Sequence, residues 1–381
     1  MMKSTKGRRS LRAFLVSSSV ALLATAILGC SNPTSTGGGS STPAAYTTYL
    51  YMTDGTNGHV YYYDPSTHAG SSSSLLTTSK NAAGEIKFYK GIGYVAMGTG
   101  GIYYFDPSSS SPSAKEISGS SSLNAEYFAF YSATKAYVSV ATTFNTTTGG
   151  TGGVYWFNPS NPTVLTQVAS STAIATKYMQ EITVGPDNMI YVAANQSQTV
   201  VKIDPSSDSV TATFTTSAAG TTGLAAGSYN GASGVFVANT GGYDSSYNAL
   251  PGSIDFIPTS GSIISNVAKP TSTISPNFNP GRMAVLSNST LAVTSQTGHT
   301  WLIALSTGAV TEVLSNGASF GSNLSIAYNN NLVYVPYNVY STTSPVNKLY
   351  VFDTSGNPQS YSPVTAMTTS DNIANVAFYQ D

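Results

Sequence analysis

The chain has 381 residues, a formal net charge of −1, only 8% charged side chains, 35 glycines, 26 tyrosines and one cysteine. So charge-poor a chain offers no basic stripe for a phosphate backbone, which excludes nucleic acid as an expected partner. A single cysteine excludes an intrachain disulfide and leaves stability to packing and sheet hydrogen bonds.

The first elements in chain order belong to export rather than to the fold. Lys3, Lys6, Arg8, Arg9 and Arg12 precede an apolar run from Ala13 to Leu28 that is too short to span a membrane comfortably. Residues 1–29 read as a signal peptide. Ile27-Leu-Gly-Cys30 resembles the lipobox of bacterial lipoproteins, which implies cleavage before Cys30 and lipidation of its thiol. Arg8-Arg9 is a partial match to a twin-arginine signal. All sixteen acidic residues but only ten of the fifteen basic ones follow Cys30, so the chain beyond it carries −6. Residues 30–45 are rich in Gly, Ser, Thr and Pro and read as a flexible tether. A lipid anchor with such a tether places the remaining domain beside a bacterial envelope membrane, at the outer membrane or cell surface.

From residue 46 onward the sequence repeats. An apolar-aromatic run ending in Asp-Pro-Ser or a relic of it recurs with its marker at Asp64, Asp106, Asn158, Asp204, Pro258, Ser306 and Asp353. The seven copies are spaced by 42 to 54 residues. The fourth is the clearest, with strand-like runs at 181–185, 189–195, 199–204 and 209–216 (A to D). Asp opens a type I turn and Pro presets the next backbone torsion, so the marker reads as the turn between C and D. Four short strands at this period predict a seven-bladed β-propeller over 46–381, all-β, with four-stranded antiparallel blades. The first copy begins at Thr47 already in strand B, while Asn372–Gln380 supplies a spare strand A. The C-terminal strand is therefore expected to complete blade 1 and close the ring.

The runs Tyr191-Val-Ala-Ala-Asn195, Phe236-Val-Ala-Asn239 and Tyr94-Val-Ala-Met-Gly98 resemble the YVTN family of β-propeller repeats, found in exported and surface proteins of bacteria and archaea. The resemblance implies fold and export. It implies little about reaction, because such repeats occur in binding proteins and in lactonase-like relatives.

Two sets of residues are candidates for function. Long insertions in the B–C loops of blades 3, 5 and 7, and before blade 6, gather on one face and carry Phe144, Tyr243, Tyr247, Phe278 and Tyr340. These aromatics either stack on a ligand or pack down to close their loops. The second set opens the A strands at the channel mouth: Glu85, Glu126, Glu181, Arg282, Asn323 and Asn375, with Thr222 neutral in blade 5. Carboxylates and amides suit Ca²⁺ or Mg²⁺, and crowded carboxylates raise one another's pKa. The same ring also reads as a hydrated mouth that satisfies strand-end backbone groups. His59 and His299 read as exposed loop residues on the loop-rich face and His68 as a turn residue on the other. Ser132-Ala-Thr-Lys135 falls at an A–B turn, and no Cys-x-x-Cys-His is present for haem attachment. Trp156 and Trp301 are too few for repeated Trp docking of the quinoprotein kind.

These features favour a lipid-anchored binding or scaffold module whose partner is a protein, peptide or glycan of the envelope, with no membrane contact beyond the anchor. The alternatives are a metal-dependent lactonase-like hydrolase or a quinoprotein-type oxidoreductase at the channel mouth, and a structural surface-layer component.

Overall fold

The computed structural model describes residues 46–380 apart from 79–83, 146–148, 169–173, 175–177, 196–197, 243, 245–249, 288, 296, 316–320, 323–324, 340–345 and 366–371. The signal, Cys30 and the tether lie outside the described residues. The rest forms seven antiparallel sheets arranged as the blades of a propeller. Blade 4 matches its sequence reading within a residue in strands B to D, while strand A begins three residues earlier, giving Tyr178–Val184, Ile190–Asn195, Thr199–Asp204 and Ser209–Thr215.

Ring closure is as expected. The C-terminal strand Ile373–Phe378 pairs antiparallel with Leu50–Asp54, with Leu50 opposite Phe378 and Met52 opposite Val376. It is strand A of blade 1, and its pairing removes the free edge that either end would otherwise present.

Each blade buries both faces against its neighbours, so the apolar residues alternate between two flanking cores rather than facing one centre. In blade 1, Leu50 and Met52 pack towards blade 7 with Tyr334, Leu349 and Val351. Between them, Tyr51 packs towards blade 2 with Ile86, Phe88 and Phe105.

The Asp-Pro-Ser turns are scaffold, and their chemistry is visible. Asp64 Oδ1 accepts the Ser66 N–H at 2.8 Å and the Ser66 hydroxyl at 2.7 Å. Asp106 with Ser108 and Asp204 with Ser206 repeat the arrangement, and Asn158 accepts the Ser160 N–H in the same way. The side chain thus caps the turn that Pro initiates. The turns close on residues with positive φ, His68 at 57° and Asp208 at 51°.

Blade 5 departs from the pattern. Among the described residues its sheet has three strands, Ala219–Tyr229, Ala232–Gly241 and Ser253–Pro258. A single bridge between Phe256 and Ile264 stands where strand D would be. The blade 3 insertion also differs from a loop. It prolongs the B and C strands, Lys135–Asn145 and Gly149–Phe157, so that Asn145 pairs with Gly149 and Phe144 lies in the ladder opposite Gly150.

Candidate functional site

The innermost strand of every blade has no partner on its channel side, so its backbone N–H groups there need acceptors. The neighbouring blade supplies them. Glu85 of blade 2 accepts the N–H of Phe128 in blade 3 at 2.6 Å, and Glu181 of blade 4 accepts that of Leu224 in blade 5 at 3.0 Å. Asn375 of blade 1 accepts from Ile86 of blade 2 at 3.3 Å, and Ser325 of blade 7 accepts from Val376 of blade 1 at 3.1 Å. Lys87 adds the complementary bond, donating to the Phe128 carbonyl at 2.8 Å. The side chains that open the A strands therefore staple adjacent blades together around the channel.

These bonds define which residue in each blade occupies the ring. The apolar residue that follows it is Ile86, Phe128, Ile182, Leu224, Met283, Ile326 and Val376 in blades 2 to 7 and 1. The ring itself is therefore Glu85, Tyr127, Glu181, Gly223, Arg282, Ser325 and Asn375. Glu85, Glu181, Arg282 and Asn375 stand where the sequence reading put them. In blade 3 the position belongs to Tyr127 rather than Glu126, in blade 5 to Gly223 rather than Thr222, and in blade 7 to Ser325. Asn323 lies outside the described residues.

β-bulges account for two of these displacements. Tyr127 pairs with Ser139 but Ala125 pairs with Val140, which leaves Glu126 as the extra residue. Thr221 pairs with Asn239 and Gly223 with Ala238, which leaves out Thr222. A bulge shifts all that precedes it by one position, and spacing counted on the sequence does not register it.

Arg282 dominates the mouth. It enters from blade 6, and its guanidinium lies 3.6 Å from the ring centroid of Tyr127 in blade 3, on the far side of the channel. Its Nη1 is 2.5 Å from Glu181 Oε2 in blade 4. In blade 5, between Arg282 and its partners, the ring position is Gly223. A Cβ at Gly223 would stand 1.9 Å from the Gly281 carbonyl oxygen, so glycine is what lets the inner strands of blades 5 and 6 approach.

Burial dominates the electrostatics. It pushes the Glu126 carboxyl up to about 7, although the charge of Arg282 and a 3.3 Å hydrogen bond from Tyr178 pull the other way. Burial also raises Glu85, opposed by Lys87, whose Nζ is 3.8 Å from Glu85 Oε1. Among the described residues no group of three His, Cys, Asp or Glu side chains is arranged to hold a metal ion. A divalent ion at the ring would meet carboxylates already facing Arg282 and Lys87, a poor setting for a hard cation.

Below this plug the channel holds a cavity of about 250 Å³. Its lining runs from Glu85, Ser325 and Asn375 to Phe88, Tyr328 and Gln380, along the inner strands of blades 7, 1 and 2.

The other sequence candidates fare unevenly. Phe278 is buried, 1% exposed, with its ring 5.0 Å from that of Trp301, so it closes its loop and cannot stack on a ligand. Tyr243, Tyr247 and Tyr340 lie outside the described residues. His59 is a buried strand residue rather than an exposed loop one, and desolvation lowers its pKa. His299 is paired through Nδ1 with Glu312 and stacks on Trp301. His68 stacks on Tyr361 at 3.6 Å.

No protein family matches the sequence, and no curated protein matches it either. Solved structures do match in shape. The computationally designed protein Ika8 is similar with a TM-score of 0.54 at 12% identity, over 87% of this chain and 88% of that one. The dihydro-heme d1 dehydrogenase NirN, solved with DHE, gives 0.53 at 10% identity, over 87% of this chain and 74% of that one. Apo AztD from Citrobacter koseri gives 0.49 at 12% identity, over 86% of this chain and 97% of that one. At such identities a likeness concerns the fold alone. The chain is a seven-bladed β-propeller.

Proposed function

We propose that the protein is a lipid-anchored, extracytoplasmic propeller of YVTN type that acts as a binding or scaffold module through its loop-rich face. The observation that carries this reading is the use already made of the ring. Its polar residues hold neighbouring blades together, and Arg282 closes the mouth. That leaves the long B–C connections of blades 3, 5 and 7 as the surface for a neutral glycan or a peptide of the envelope. The orientation agrees with it. The chain enters at Tyr46–Thr48, beside the start of strand B in blade 1, which is the end occupied by the Asp-Pro-Ser turns. A tether attached there joins the domain at the end opposite the loop-rich face.

Two measurements test the proposal. Cys30→Ser should move the protein from the membrane fraction to the soluble one. Purified protein should co-sediment with isolated cell-wall polymer or bind envelope-derived peptides, and replacing residues 142–151 with a two-residue turn should abolish that binding. A variant that binds as well as the wild type would overturn the assignment to this face.

A second reading, hydrolase or oxidoreductase chemistry near the mouth, draws on Glu126, the bulge residue beside Tyr127, whose carboxyl burial lifts to about 7. Ca²⁺-dependent lactone hydrolysis that is lost in Glu126→Gln would favour it.

A further inference from the structure

The channel cavity differs from the loop-rich face in position and chemistry. Arg282, Tyr127 and Glu181 cap it at the loop-rich end, while the exposed Gln380 stands at the end with the Asp-Pro-Ser turns. Its lining runs along the inner strands from the ring to Gln380. Its charges come in compensated pairs, Arg282 with Glu181 at 2.5 Å and Lys87 with Glu85 at 3.8 Å. A fully charged ligand would leave one of these pairs unbalanced in a half-enclosed site.

The hydrogen-bonding capacity that remains is mixed. Asn375 spends its carbonyl oxygen on Ile86 and keeps both amide N–H groups. Lys87 spends one N–H on the Phe128 carbonyl and keeps two. Glu85 takes the Phe128 N–H on Oε2, while Oε1 faces Lys87 at 3.8 Å, beyond direct hydrogen-bond reach, and can accept from a ligand between them. Glu181 likewise uses Oε2 for both Leu224 and Arg282 and retains Oε1. Hydroxyl groups, which donate and accept at once, match such a lining better than a carboxylate or an ammonium does. At about 30 Å³ per water, a cavity of this size holds roughly eight waters or one ring of about a dozen heavy atoms.

We infer that the channel pocket binds a neutral, monosaccharide-sized polyol, entering beside Gln380 and ending against Arg282. This site is independent of the loop-rich face, so replacing residues 142–151 must leave it intact.

The test is calorimetry and saturation-transfer NMR on the purified full chain. The probes are glucose, galactose, N-acetylglucosamine and myo-inositol, with glutamate, citrate and Ca²⁺ as charged comparators. At least one neutral polyol should bind, and more tightly than any charged probe. Gln380→Trp, which covers the mouth without removing a buried bond, should weaken binding at least about tenfold while the melting temperature stays put. Ala377→Phe, which fills the pocket from the blade 1 inner strand, should do the same. Three results would each overturn the inference: no polyol response up to about 20 mM, tighter binding of a charged probe, or polyol binding that survives both variants.

Discussion

Blades 4 and 5 are neighbours built to one plan, and they achieve the same closure by different means. Blade 4 has four strands and ends strand C in Asp204, an exposed carboxylate that caps a turn through Ser206. Blade 5 lacks strand D among the described residues, and its carboxylate, Asp255, is fully buried three residues before the turn marker. Asp255 accepts hydrogen bonds from the Ser217 N–H at 2.7 Å, the Ser217 hydroxyl at 2.6 Å, Asn239 Nδ2 at 3.1 Å and the Asn266 N–H at 2.9 Å. A few backbone bonds remain, from Phe256 and Ile264 to each other and from Val267 N–H to Ile254, and one buried side chain collects further donors beside them. The same type of residue is a turn cap in one blade and a structural hub in the next. Burial and the number of donors decide which.

The comparison breaks most visibly at Asp255. Asp255→Leu strands several buried donors and should cost about 3–5 kcal/mol in urea unfolding. A loss close to that of a surface substitution would mean that the hub is dispensable. Gly223→Ala comes next. Its methyl group meets the Gly281 carbonyl, and it should lower stability by about 2–3 kcal/mol by forcing the inner strands of blades 5 and 6 apart.

A third experiment concerns Arg282, which reaches Tyr127 in blade 3 and Glu181 in blade 4. Glu126 has a folded-state pKa of about 7, above its unfolded value. The native state therefore holds a proton that the unfolded chain releases, and stability falls as pH rises from about 4.5 to 7. Relative to the wild type, Glu126→Gln should gain on the order of 2 kcal/mol at pH 8, allowing for partial solvent contact, and should gain nothing at pH 4. Arg282→Met should push the Glu126 carboxyl higher still, an effect that carboxyl-carbon NMR reads directly. The smallest effect belongs to Asp204→Ala in blade 4. The Ser206 hydrogen bonds hold the Asp204 carboxyl below its usual range, so its contribution is present above the unfolded pKa and fades as pH falls through the folded one. The variant should melt slightly earlier at pH 7 and indistinguishably from wild type in acid.

The architecture was legible because turn chemistry is local. Asp-Pro-Ser encodes its own geometry, and counting copies gave blades and closure. The ring was legible in kind but not in register. Glu126 and Thr222 look like ring residues because each precedes the apolar stretch of strand A, and only the ladder reveals that each is the extra residue of a bulge. Tyr127 and Gly223 gave no signal of their own: one is an aromatic among many, the other a glycine in a glycine-rich chain. Phe278 illustrates a different limit. The sequence left ligand stacking and loop closure both open for it, and only tertiary packing against Trp301 decides for closure.

The pairing of Leu50 with Phe378 has a consequence for how the molecule comes to exist. Blade 1 takes its strands from segments more than 300 residues apart, so it stays incomplete until the strand Ile373–Phe378 has left the ribosome. Contacts at such sequence separation carry a high loop-closure entropy and form late. A nascent chain can assemble inner blades while its first hairpin waits with one edge open. That interval makes the pairing of the two terminal strands the step that completes the ring.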